Sequence, residues 1–201
     1  MVHALNKIYN FGSVEYDLRS RTFIMGILNI TPDSFSDGGK YLHSSNAVDC
    51  ALQMIDEGAD FIDVGGESTR PGSESVSVGE ELNRVIPVIE QLVNKTTIPI
   101  SIDTTKSEVA EKALQSGAVI VNDISSFHFD NRMPAVVSKY NASIVLMHTK
   151  DKPKLMQHNP EYKDLIPEIK SYLSVAIKIS IENSIKQIII DPGIGFGKKL
   201  E

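Results

Sequence analysis

The chain has 201 residues, with 20 lysines and arginines against 26 aspartates and glutamates, a formal charge of −6. Its apolar share of 41% and charged share of 23% are those of a globular domain with one sizeable core. An acidic balance without basic clusters argues against nucleic acid as the main partner. No run approaches the roughly 18 apolar residues of a membrane span, and Met1–Asn10 lacks the apolar region of a secretion signal. A single cysteine, Cys50, rules out an intramolecular disulfide framework and suits a reducing compartment. The expectation is one soluble, cytoplasmic domain over 1–201.

Ala4–Leu18 reads as a short hairpin turning at Phe11-Gly12-Ser13. Beyond it, short apolar runs alternate with longer amphipathic segments. The runs are Thr22–Ile30, Asp60–Val64, Ile98–Asp103, Ala118–Asp123, Ala142–Met147 and Lys186–Asp191. Most are β-branched and bounded by Gly, Pro, Asn or Asp, the pattern of buried strands. Between them, Val48, Ala51, Leu52 and Ile55 recur at helical spacing, as do Leu82, Val85, Ile86 and Ile89, continued by Leu92 and Val93. Weaker helices are expected over Lys106–Ser116 and Asn131–Tyr140. A long one is expected over Glu161–Glu182, carrying Ile166, Ile169, Leu173 and Ile177. Gly58 and Gly117 fall where helix C-caps belong.

Strand–helix alternation means an α/β fold with a parallel sheet and right-handed crossovers, which leaves two architectures open. A doubly wound sheet gathers its ligand groups at one switch point, whereas a (β/α)8 TIM barrel brings every strand's C-terminal end to one mouth. Polar groups follow nearly every run: Asn29, Asp63, Asp103, Asn122 with Asp123, His148 and Asp191. Only a closed ring gives such groups a common purpose, so the barrel is favoured. About six strands are present where a barrel needs eight and about 250 residues. The first six βα units are therefore expected, in a chain that looks cut.

Several segments carry chemistry. The loop Asn29–Gly39 is rich in turn formers, but an amide at a strand tip, as at Asn29, can offer a neutral oxygen to a hard cation such as Mg²⁺. In Asp63–Gly72, Arg70 among small residues is a candidate oxyanion clamp, with Thr69 adding a donor; a solvated loop arginine is the plain alternative. Asp103 and Asn122 end two core strands, and a carboxylate there needs donors such as a ring N–H beside an exocyclic amino group. Asp123 reads better as a helix cap. Asp191–Lys198 is not a Walker A loop, because Pro192 and Lys199 stand where Gly and Ser/Thr are required. Its glycines instead let the backbone approach a ligand held by Asp191. Met147 either floors a ring-shaped pocket or fills core. Zinc spacing, HExxH and a nucleophile elbow are absent from the sequence.

At these residues the chain closely resembles the dihydropteroate synthases, from about Met25 to its end, through the blocks MGILNITPDSFSDGG, GGESTRPG and DPGIGFGK. The resemblance implies the (β/α)8 barrel and the joining of a dihydropterin methyl diphosphate to p-aminobenzoate with Mg²⁺. It implies that Asp103, Asn122 and Asp191 bind the pterin, with Met147 beside the ring, and that Asn29 lies near Mg²⁺ and the diphosphate. Thr69 and Arg70 would handle the diphosphate, Asp37 would face the cationic intermediate, and Phe35, Pro71 and Phe196 would surround p-aminobenzoate. It further implies small-molecule substrates, no nucleic acid or membrane, and a homodimer when complete. Family members continue through two more βα units that supply a pterin-binding lysine and a basic grip on the diphosphate. The 201 residues are thus expected to be a fragment, inactive alone and exposing strand edges. The alternatives are a pterin-binding methyltransferase of the corrinoid type, which has no diphosphate to cradle, and a non-catalytic pterin-binding domain.

Overall fold

The structure is a computed structural model that describes residues 8–30, 40–68, 73–150 and 160–199. Strands β1 (Ile8–Phe11) and β2 (Val14–Asp17) form an antiparallel hairpin at the expected turn. Six parallel strands follow: β3 (Met25–Asn29), β4 (Phe61–Gly65), β5 (Ile100–Asp103), β6 (Ile120–Asp123), β7 (Ser143–Met147) and β8 (Ile188–Asp191). They alternate with helices α1 (Lys40–Asp56), α2 (Val78–Val93), α3 (Ser107–Gln115), α4 (Met133–Lys139) and α5 (Leu165–Glu182).

The sheet order is β3-β4-β5-β6-β7-β8, each strand beside its predecessor. A doubly wound sheet reverses direction partway, so this order decides for barrel-type winding. The two-residue side-chain period sorts the strands into two faces. Leu28, Ile62, Val64, Ile100, Ile102, Val121, Ile144 and Leu146 point outward into a core shared with the helices. Phe61 and Ile120 point inward and pack with Met25, Val145 and Ile189, contributed by strands from one end of the sheet to the other. Residues so far apart in the sheet meet only if it curls around them.

The hairpin closes the floor of this curl. Phe11 packs edge-on against Phe61 at 5.0 Å, Tyr16 lies against the same ring, and the Tyr9 hydroxyl donates to the Ile188 carbonyl at 2.8 Å. It thereby bridges β4 to β8. The two edge strands leave Ile27 and Ile190 about half exposed, at 52% and 54%.

Strands begin one to three residues later than the apolar runs suggest. Before β3, Asp60 takes the Ile24 N–H and pairs with Arg21, so Thr22–Ile24 serve that junction. Helix α5 starts at Leu165 rather than Glu161, because Asp164 is extended and Glu168 accepts the N–H groups of Lys163 and Asp164. Asp123 does not cap the following helix, which begins at Met133 behind Arg132; its carboxylate instead accepts the N–H groups of Ser125 and Phe127 and the Ser125 hydroxyl, pinning the strained turn at Ser126 and Phe127.

The expected glycine caps hold. After α1 and α3, Gly58 and Gly117 take left-handed φ, and paired bonds such as Gly117 N–H to Leu114 O and Ala118 N–H to Ala113 O close the turn. Helices α4 and α5 end identically on Asn141 and Ser184. Serine gains little in that conformation, so Ser184→Gly is expected to raise unfolding free energy by about 0.5–1 kcal/mol, read from the urea midpoint.

Helix α3 is capped from outside itself. Its N-cap Lys106 makes no side-chain cap bond; instead Asp130 Oδ2 accepts the Ser107 N–H at 3.0 Å and the Ser107 hydroxyl at 2.6 Å. Burial opposes the charge on Asp130, but the bonds from Arg132 and Ser107 outweigh it and hold the carboxyl well below its usual range. Asp130→Ala should cost about 2 kcal/mol. Because the folded pKa is depressed, that loss should be full above the unfolded value of 3.8 and fade as pH falls below it, in urea titrations across pH.

Candidate active site

The inward positions at the C-terminal ends of the strands carry polar groups in place of the apolar floor. Asn29, Asp103 and Asp191 are the last residues of β3, β5 and β8, Met147 is the last of β7, and Asn122 is the penultimate residue of β6. Register ties them into one rim: Asn29 opposes Gly65, Gly65 opposes Asp103, Asp103 opposes Asn122, and Met147 opposes Asp191. These five expected site residues therefore share one mouth. Phe196 follows β8 and is half-buried. Phe35, Asp37, Thr69, Arg70 and Pro71 lie outside the described residues.

Electrostatically the rim is built around Asp103. Its side chain is nearly enclosed, at 9% exposure, and among the described residues Oδ1 has no hydrogen-bond partner. Burial pushes its pKa well above the usual carboxylate range, and the neighbouring charges of Asp63, Glu81, Asp123 and Glu67 push it further. A buried acceptor left unpaired by the protein suits a ligand donor. Asn122 has its own anchor: Nδ2 donates to Asp63 Oδ2 at 2.9 Å. Asp63, buried in mid-strand with its pKa raised by burial, lies one layer below the rim. Asp191 Oδ1 accepts the Gly193 N–H at 2.7 Å.

Gly65 leaves a cradle between two of these groups. A Cβ there would lie 3.4 Å from Asn29 Oδ1 and 3.5 Å from Asp103 Oδ2, ordinary contact distances. Gly65→Ala should therefore fold within about 1 kcal/mol of wild type. A methyl in the mouth should nevertheless weaken ligand binding there by about tenfold or more, measurable by calorimetry.

Two features were not singled out from the sequence. Lys106 Nζ bonds both Glu67 and Glu81, the latter at 2.5 Å and only 1% exposed. Glu67 Oε2 also accepts the Val76 N–H, so the triad fastens the segment after β4 to α2 and α3. The second feature is Lys198, which turns inward onto His148. Neither shows in hydrophobic periodicity, because each depends on polar groups far apart in sequence.

Among the described residues, no cluster of three or more His, Cys, Asp or Glu could hold a metal. The rim does offer one neutral oxygen of the kind a hard cation such as Mg²⁺ accepts, the Asn29 amide Oδ1 bordering the Gly65 cradle.

Comparisons with known proteins agree with this geometry. The pterin binding enzyme family matches residues 25–201. The dihydropteroate synthase of Clostridium beijerinckii is 50% identical over 192 residues, 94% of this chain and 69% of that protein. That of Escherichia coli K12 is 45% identical, over 90% of this chain and 64% of its own length. Among solved structures, Yersinia pestis dihydropteroate synthase with a sulfonamide drug superposes with a TM-score of 0.88 at 40% identity, over 96% of this chain and 70% of that one. The Xanthomonas albilineans enzyme with 4-aminobenzoic acid gives 0.87 at 40% identity, over 96% and 68%. The chain thus spans about two thirds of the length of its relatives. With the strand order, the polar rim and these likenesses in agreement, the chain belongs to the dihydropteroate synthase family of pterin-binding enzymes.

Proposed function

We propose that the complete protein joins a 7,8-dihydropterin-6-ylmethyl diphosphate to p-aminobenzoate, giving dihydropteroate and diphosphate for folate synthesis. The observation that carries this reading is the buried carboxylate oxygen of Asp103, without a partner among the described residues, on a rim shared with Asn122, Asp191 and Met147. Relatives support it: one solved dihydropteroate synthase was obtained in the presence of pteroic acid and another in complex with 7,8-dihydropteroate.

In this mechanism Asp103 and Asp191 accept N–H groups from the aminopyrimidine edge of the pterin. Asn122, fixed by Asp63, bonds the same edge, and Met147 packs on the ring. The C–O bond between the pterin methylene and the diphosphate breaks first, the electron pair leaving with the diphosphate. Arg70 and Thr69 take the developing anion, and the electron-rich pterin shares the positive charge, which Asp37 faces. The aniline nitrogen then forms the C–N bond and releases its proton. That amine is neutral at pH 7 and needs orientation by Phe35, Pro71 and Phe196, not a base. Asn29 would hold Mg²⁺, which when bound supplies charge neutralisation at the leaving group. We place the reaction in the cytoplasm, in a homodimer of the complete chain. The test is formation of dihydropteroate from both substrates by the complete enzyme, dependent on Mg²⁺ and matched by diphosphate release; failure to form dihydropteroate overturns the reading.

A further inference from the structure

The loop after β8 folds around its own lysine. Gly193, Gly195 and Gly197 all take left-handed φ, of +66°, +86° and +58°, so the backbone turns sharply at three alternate positions. Lys198 Nζ sits inside the turn, its three N–H groups shared among four acceptors: Gly193 O at 2.8 Å, Phe196 O at 2.9 Å and, across the loop, His148 Nδ1 at 3.0 Å and His148 O at 3.3 Å. Its partners are neutral oxygens and an imidazole nitrogen. Gly193 is fixed in turn, since a Cβ there would stand 2.2 Å from His148 O. The Phe196 N–H donates to Gly193 O at 3.0 Å, and the Tyr162 hydroxyl donates to Gly197 O at 2.6 Å.

His148 is built to receive the ammonium. It is 4% exposed, its ring meets Tyr172 edge-on at 4.8 Å, and its backbone N–H donates to Asp191 O at 3.0 Å. Burial first, then the Lys198 charge, lowers its pKa to about 4, so the ring is neutral at pH 7, and an ammonium 3.0 Å from Nδ1, having no lone pair, makes that nitrogen the acceptor. Burial also lowers Lys198, partly offset by Asp191. A cation held in this way among carbonyls is costly to desolvate, and its return is a fixed loop.

We propose that Lys198 is a positioning residue for the second substrate: by clamping the Gly193 and Phe196 carbonyls onto His148, it sets where the Phe196 ring stands at the rim. The inference rests on the functional reading above, in which Phe196 borders p-aminobenzoate. It also assigns a purpose to the lysine that ends DPGIGFGK, where a phosphate-binding loop does not apply.

The test compares Lys198→Met and Lys198→Arg with wild type in the complete enzyme. Lys198→Met should raise the KM for p-aminobenzoate about tenfold while pterin diphosphate affinity, by calorimetry, stays within about twofold. Amide hydrogen exchange should accelerate over 193–198 and not across the strands. Lys198→Arg, which can still donate to the carbonyls, should recover part of the KM. An unchanged KM in Lys198→Met, equal losses for both substrates, or faster exchange through the whole barrel would each overturn the proposal. Absence of dihydropteroate formation by wild type would instead overturn the functional reading, and the exchange data on this loop keep the two failures apart.

Discussion

Lys106→Met is expected to cost about 3 kcal/mol of folding stability, the scale seen when one member of a buried charge group is removed. Burial works against the Lys106 charge, but its bonds to Glu67 and Glu81 prevail and raise its pKa. Glu81 is the member at stake: it is fully enclosed on α2, and among the described residues Oε1 has no partner at all. Without the ammonium, Glu81 and Glu67 face each other uncompensated between β4, α2 and α3. The chain has three ways to respond: open the segment after β4, admit water, or take up a proton. Carboxylates that have lost their counter-ion gain most from acid, so the gap between wild type and Lys106→Met in urea unfolding should narrow as the pH is lowered. Adding Glu81→Gln to Lys106→Met should restore more stability than Glu81→Gln gives or costs alone, a coupling of about 1–3 kcal/mol. A pH-independent loss, or strictly additive effects, would show that the lysine acts through packing of its stem and not through charge.

The fold was legible in the sequence because its signals are local. Each β-branched run became a strand, and Gly58 and Gly117 marked caps that the backbone confirms with left-handed φ. Barrel winding followed from polar residues at the ends of the runs, and the strand order bears it out. The site was legible to the depth of one side chain per strand: Asn29, Asp103, Asn122, Met147 and Asp191 do share a rim. What lies behind that rim was not. Asp130 caps a helix that begins 23 residues earlier in the chain, and Lys106 meets Glu67 across 39 residues. No periodicity encodes such pairings, because they are set by which loops the winding brings together. Asn141 and Ser184 were missed for a different reason: serine and asparagine tolerate a left-handed turn without announcing one as glycine does.

Asp103→Asn should separate binding from stability in opposite directions. In the free protein the buried carboxyl has its pKa raised by desolvation and then by Asp63, Glu81, Asp123 and Glu67. A carboxyl whose folded pKa lies above its unfolded value favours folding only while protonated, and that contribution is lost as pH rises through the folded pKa. At any pH above the unfolded value the carboxyl thus burdens the fold, by ionising while buried or by holding a proton the unfolded chain releases, and an amide of the same shape removes that burden. The melting temperature of Asp103→Asn should rise at pH 7 and the advantage should shrink in acid. Pterin binding should move the other way, weakening by about 2–3 kcal/mol, or 30- to 150-fold, because an amide cannot accept two N–H donors as a carboxylate does. Wild-type affinity should also climb with pH as the carboxyl ionises and then level off, whereas Asp103→Asn should bind with little dependence on pH. Calorimetry and thermal melts across pH give both curves from the same samples. If Asp103→Asn melts lower and binds as tightly as wild type, Asp103 is a structural residue and the pterin edge lies elsewhere on the rim; a gain in stability with a loss of affinity identifies a charge kept buried for its ligand.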